Sequence, residues 1–136
     1  HGGRWALRQA RRWEQENWVV AESDDSQLFN AFLRAMNAFS LEAEDPDRSF
    51  PNLRFVHTNE RLAPKFFAVA SLRSVHVHLP WPARRTRPPR APLVTGKFVA
   101  DVNDVLEEHG EVHVVTDDER VAQEACAALT RSKRFA

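Results

Sequence analysis

The feature that most constrains this chain is an alternation of two periodicities along its whole length. Residues 17–22, 52–57, 72–78 and 111–115 are short apolar runs of strand type, and each is separated from the next by a stretch of helical type. Residues 4–15 place Trp5, Ala6, Ala10 and Trp13 toward one side of a helix. Glu22-Ser23-Asp24-Asp25 caps a second helix, whose Leu28, Phe32, Met36 and Phe39, with Phe29 and Leu33 beside them, form one apolar face expected in the core. A short helical turn is expected over 61–67. A helix over 97–108 turns Phe98, Val102, Val105 and Leu106 inward and ends at Gly110. Thr116-Asp117-Asp118-Glu119 opens a last helix that runs to Leu129, with Val121, Ala122, Ala125 and Ala128 inward and Cys126 beside them as a small core residue. Strands that alternate with helices need crossover connections, so the expected fold is α/β with right-handed crossovers and a mostly parallel sheet.

The chain has 136 residues, enough for a single domain with one core. Its 19 Lys and Arg balance its 19 Asp and Glu, so affinity for nucleic acid must come from charge segregation. That segregation is present: Arg4, Arg8, Arg11 and Arg12 cluster, as do Arg84, Arg85, Arg87 and Arg90, while acids gather at 42–47, 101–111 and 117–119. The single cysteine, Cys126, excludes an internal disulfide and a Cys-based zinc site, and fits a reducing, intracellular compartment without fixing which one. No apolar run approaches a membrane span, and no secretory signal pattern is present.

In a parallel sheet, ligands gather at the carboxyl ends of the strands. That rim is expected to carry Glu22, Asn59, Leu79-Pro80-Trp81-Pro82 and Thr116-Asp117. Val75 and Val77 alternate with His76 and His78, and Pro80 and Pro82 end the strand because each lacks a backbone donor. The arginines of 84–90 follow directly, either as a phosphate-binding loop or as a solvated basic connector. Glu22 lies about 20 residues after Gly2-Gly3, the spacing of an acid that binds ribose hydroxyls after a glycine loop; it also reads as a helix-cap carboxylate. The glycine pair permits close backbone approach to a ligand, or is a plain loop. Asn59 is placed either to read an adenine edge or to stabilise a turn. The histidines lack metal-ligand spacing, so no metal is expected.

Taken in order, these pieces resemble the tRNA (guanine-N7)-methyltransferase family of class I S-adenosylmethionine-dependent enzymes. His1-Gly2-Gly3 is similar to the end of its glycine-rich motif, Asn52-Leu53-Arg54-Phe55-Val56 with Thr58-Asn59 to its adenine segment, and Leu79-Pro80-Trp81-Pro82 to Phe-Pro-Asp-Pro. Thr116-Asp117 with Glu119 looks like its Thr-Asp element, and Phe135 is similar to the phenylalanine after its last helix. The resemblance implies a Rossmann-like sheet lacking the family's first strand and last two strands, as a partial domain over 1–136. It implies S-adenosylmethionine held by Gly2, Gly3, Glu22, Ser23, Asn59, Glu60 and Leu79, tRNA held by Arg84, Arg85, Arg87 and Arg90, and a target guanine positioned by Thr116, Asp117 and Glu119. The eukaryotic type also implies a β-propeller partner. Trp81 departs from the family, standing where it has aspartate. Guanine N7 carries a lone pair and no proton, so transfer to it needs orientation rather than an obligatory base. The alternative is a catalytically degenerate methyltransferase fold serving as an RNA-binding or scaffold subunit.

Overall fold

The computed structural model describes residues 2–40, 52–80, 92–132 and 134–135. The expected element order is observed: α1 (Gly2–Arg12), β1 (Trp18–Glu22), α2 (Asp25–Ser40), β2 (Leu53–His57), a 3-10 turn (Ala63–Phe66), β3 (Leu72–His78), α3 (Gly96–Val105), β4 (Leu106–Val115) and α4 (Glu119–Thr130). The fold is α/β, and its strands pair in parallel: β1 with β2 and β3 with β4. The chain divides into two compact units, residues 1–60 and 61–136.

In the first unit, Trp18 to Glu22 pair in register with Leu53 to His57. The core holds Ala6, Ala10, Ala35 and Leu53, with Trp5, Trp18, Val20 and Phe55 around them. α1 begins earlier and ends earlier than its periodicity predicts, at Gly2 and Arg12 rather than 4 and 15. Its carboxyl end is closed by a residue far away in sequence. The buried Asn52 Nδ2 lies within hydrogen-bond distance of the carbonyls of Ala10 (2.8 Å), Trp13 (3.1 Å) and Glu16 (2.9 Å), at and just beyond the end of the helix. Trp13, expected inward, is 48% exposed.

α2 corrects another expectation. Asp24 caps it, its Oδ1 accepting from the Gln27 amide at 2.9 Å. Its buried residues are Ala31 and Ala35, whereas Phe29, Leu33 and Met36 are largely exposed and Phe32 meets Phe55 edge-on at 5.8 Å. The reason lies across the helix pair. Gly3 is buried against Ala31, and a Cβ added there would lie 2.7 Å from the Ala31 Cα. Backbones this close leave room only for Gly and Ala between them, so the large apolar side chains lie to the side. The Phe39 side chain lies outside what the structure describes.

In the second unit, Val77, Val94, Phe98, Val99, Val102, Leu106, Ala125 and Ala128 form the core, joined by Val75, Val112, Val114, Leu129 and Phe135. α3 stops at Val105, not at 108, and the strand expected over 111–115 starts at Leu106. The pairing shifts between Leu72↔Leu106 and Ser74↔Glu111, so residues 107–110 stand against Arg73 alone and β4 accommodates three extra residues. Gly110 therefore lies inside a strand, and His109 (φ 65°) rather than Gly110 takes the left-handed conformation. The Arg134 guanidinium holds this junction, donating to the carbonyls of Asn103 (2.9 Å), Leu106 (3.3 Å) and Glu107. On α4, Ala125 and Ala128 are buried as expected, but Ala122 and Cys126 are exposed. Cys126 is thus a surface thiol, one step round the helix from the buried alanines.

Candidate functional site

Parallel pairing brings the ends of β1 and β2 together, because Glu22 stands opposite His57. Glu22 is half-buried, and its Oε1 accepts from the amides of Ser23 (2.9 Å) and Asp24 (3.0 Å). Two backbone donors on one oxygen fix the carboxylate's direction. Among the described residues, the other oxygen takes no hydrogen bond. Ser23 Oγ donates to Glu60 Oε1 at 2.6 Å, tying the loop after β1 to the loop after β2. His57 Nε2 lies 3.0 Å from Asp25 Oδ1 and 3.1 Å from the Ser23 carbonyl, a third link along the same rim. Asn59 sits exposed one residue past Thr58, whose amide donates to the Glu22 carbonyl at 3.1 Å. The structure therefore gathers Glu22, Ser23, Asn59 and Glu60 at one rim.

Gly2 and Gly3 open α1 instead of preceding it. The carboxyl end of α1 is tied by Asn52 to the amino ends of the strands, where Trp18 N donates to the Asn52 carbonyl at 2.7 Å. The amino end of α1 thus runs back toward the rim that carries Glu22. Close packing on Ala31 accounts for Gly3 by itself, a use of glycine that the reading of a ligand loop did not contain.

The second unit has its own rim. The Leu79 amide donates to the Val115 carbonyl at 2.7 Å, which carries the β3–β4 pairing one step past His78. Leu79 sits at φ 47°, a left-handed conformation that a branched residue adopts only under strain, and the buried Pro80 follows. Thr116 Oγ1 accepts from the Asp118 amide at 3.1 Å, and Asp118 Oδ1 caps α4 through Arg120 (3.0 Å) and Val121 (3.2 Å). Asp118 thus does the capping, and the exposed Asp117 lies outside the cap. Glu119 Oε1 accepts from Gln123 Nε2 at 3.1 Å. Leu79, Thr116, Asp117 and Glu119 share this rim. Trp81 and Arg84, Arg85, Arg87 and Arg90 lie outside the described residues.

Away from the rim, the side of the β3–β4 sheet opposite the valines carries three imidazoles. His76 and His113 stack with ring centroids 4.4 Å apart and planes 3° from parallel, and His78 lies 6.3 Å from His76. Burial holds the His76 pKa down at about 4, with the neighbouring His113 and His78 adding to the shift and Glu111 opposing it. The same burial, helped by His113, lowers His78. Stacked rings cannot aim their lone pairs at one ion. Among the described residues, no group of three or more His, Cys, Asp or Glu side chains is placed to hold a metal. Among them too, no helix is long and apolar enough to cross a membrane.

Asn52 and Arg134, the residues that staple a helix end in each unit, escaped the sequence reading. Asn52 had a faint signal: an amide between Pro51 and an apolar run. Arg134 had none, since its acceptors lie 27 to 31 residues earlier.

Residues 2–136 match the family model Methyltransf_4, described as "Putative methyltransferase". The chain is also similar to a tRNA (guanine-N(7)-)-methyltransferase of Anaeromyxobacter dehalogenans (strain 2CP-C), at 33% identity over 130 residues. The match covers 95% of this chain and 59% of that relative, so the chain spans less than two thirds of the curated relative's length.

Proposed function

The chain belongs to the tRNA (guanine-N7)-methyltransferase family, and on that premise we propose that the full-length protein transfers a methyl group from S-adenosylmethionine to guanine N7 in tRNA. The observation that carries this reading is the Glu22 carboxylate. It stands at the carboxyl end of a parallel strand, with one oxygen oriented by two amides and the other taking no hydrogen bond among the described residues. An acceptor oriented in this way suits hydrogen bonds from the ribose hydroxyls of a nucleoside.

S-adenosylmethionine, when bound, supplies a methyl group on a positively charged sulfur. Glu22 would accept from the ribose, Ser23 and Glu60 would hold the loop in place, and Asn59 would offer its amide to the adenine edge. The family resemblance also assigns Gly2, Gly3 and Leu79 to cofactor binding. Thr116, Asp117 and Glu119 would position the base, Asp117 and Glu119 accepting from guanine N1–H and the exocyclic amine. Because N7 has no proton to lose, these groups work by orientation and none acts as a base. Arg84, Arg85, Arg87 and Arg90 would hold tRNA phosphates as planar bidentate donors.

In this reading the complete sheet also contains the family's first strand and last two strands. Its support is that β1–β2 and β3–β4 are two-stranded, so their outer edges present backbone groups that no described strand pairs. A tRNA substrate makes the location intracellular. A β-propeller subunit belongs to the reading only if the chain is of the eukaryotic type.

The test is methyl transfer from labelled S-adenosylmethionine to an unmodified tRNA transcript by the full-length protein, with the product digested to nucleosides. The expected product is 7-methylguanosine, and Glu22→Ala is expected to weaken cofactor binding about tenfold or more, the loss of a hydrogen bond to a charged group. Absence of transfer by both the natural protein and Trp81→Asp would overturn the activity in favour of the scaffold role.

A further inference from the structure

α1 has two opposite faces. Gly3, Ala6 and Ala10, spaced i, i+3 and i+7, are all buried. Arg4, Arg8 and Arg11, spaced i, i+4 and i+7, with Arg12 beside them, are all exposed. At about 100° per residue, the arginine stripe is centred roughly 135–150° from the buried stripe. The face made of Gly and Ala is fixed against α2 through Gly3 and Ala31. The arginines are thereby held outward on a rigid element, and the stripe is about 12 Å long at the helical rise. No Asp or Glu lies within Gly2–Arg12. Arg11 and Arg12 also suit the negative carboxyl end of the helix, but Arg4 lies in its first turn, where helix polarity disfavours a cation, and Arg8 lies mid-helix, where polarity favours none. Helix stabilisation therefore does not account for the stripe. Trp13, 48% exposed, lies at its end beneath Arg12, with the guanidinium 5.3 Å from the ring centroid.

We propose that the exposed Arg4–Arg8–Arg11–Arg12 face of α1 is a second docking surface for the phosphate backbone of tRNA, additional to the loop of 84–90. The proposal rests on the tRNA reading above for the identity of the RNA. Successive arginines one helical turn apart are spaced about 6 Å, close to the separation of phosphates along an RNA strand, and each guanidinium grips phosphate oxygens bidentately. An exposed indole at the end of the stripe adds a surface on which a base can stack. A membrane surface fits less well. An interfacial helix needs a broad apolar face to bury in lipid, and here the face opposite the arginines consists of Gly and Ala already packed against α2.

The experiment measures affinity of the full-length protein for an unmodified tRNA transcript by fluorescence anisotropy over a series of salt concentrations, without S-adenosylmethionine. Absence of methyl transfer therefore leaves the readout intact. Arg8→Gln/Arg11→Gln keeps good helix formers at exposed positions well away from Gly2 and Gly3. It is expected to weaken binding about tenfold at 0.1 M salt and to flatten the slope of log affinity against log salt by about 1 to 2. Arg8→Lys/Arg11→Lys is expected to retain most of the affinity and the slope. Cofactor affinity, measured separately, is expected to stay the same in both. An unchanged tRNA affinity and slope in the glutamine variant would overturn the proposal. So would a loss confined to phosphatidylcholine vesicles containing phosphatidylglycerol, with tRNA binding intact.

Discussion

Gly3 sits at the closest approach of two helices. Its Cα stands where a Cβ would meet the Ala31 backbone at 2.7 Å, and backbone cannot swing aside as a flexible side chain can. Ala is the better helix former by about 1 kcal/mol. Overpacking a site this tight costs typically about 1–3 kcal/mol, so the clash outweighs the propensity. Gly3→Ala is expected to destabilise the protein, read as a lower urea midpoint, and Ala31→Gly is expected to recover part of the loss in the double variant. Additive effects of the two changes would show that the contact is not what limits position 3. Asn52 is the complementary case. One buried amide closes the end of α1 and sits beside Leu53, the most deeply buried residue of β2, so helix and strand are joined at a single residue.

At the scale of elements, local periodicity announced the strands well and the helix ends poorly. β2 and β3 fall within a residue of expectation because residues that break strands bound them nearby, Pro51 before β2 and Pro80 after β3. The end of α3 was misplaced because Leu106, apolar and in helical phase with Val102, is also the first partner of Leu72. Only the β3 pairing and Arg134 decide that residue 106 leaves the helix. Arg134→Met keeps the aliphatic stem and removes the donors. It is expected to cost about 1 kcal/mol, since these carbonyls lie near enough to solvent for water to replace part of the loss. Hydrogen exchange should quicken first in residues 105–110, and protection unchanged there would refute the capping role. The apolar stripe of α2 is the opposite lesson. Its period is correct for a helix, yet the period alone does not say which part of the helix faces a neighbour made of Gly and Ala.

For the molecule as a whole, the stacked imidazoles set a direction for stability against pH. His76 titrates at about 4 when folded and near 6.5 when unfolded, so between these values the unfolded chain binds more protons. Its full contribution is present above pH 6.5 and is lost as pH falls toward 4. His78 is lowered too and acts in the same sense. Urea midpoints are expected to decline from pH 7 to pH 4.5, and His76→Gln is expected to make that decline shallower. A variant with an unchanged slope would place the acid sensitivity elsewhere.

The sequence by itself determined the order of the elements, the parallel α/β architecture and the residues at the strand ends, because each depends on spacing within a few positions of the chain. Glu22 with Asn59, and Leu79 with Thr116, were legible as rim residues for that reason. Tertiary structure alone decided that Gly3 serves helix packing, that α1 turns its arginines outward and that Asn52 and Arg134 close helix ends. These outcomes depend on partners distant in sequence, where the fit of two surfaces, and no local period, selects which atoms meet.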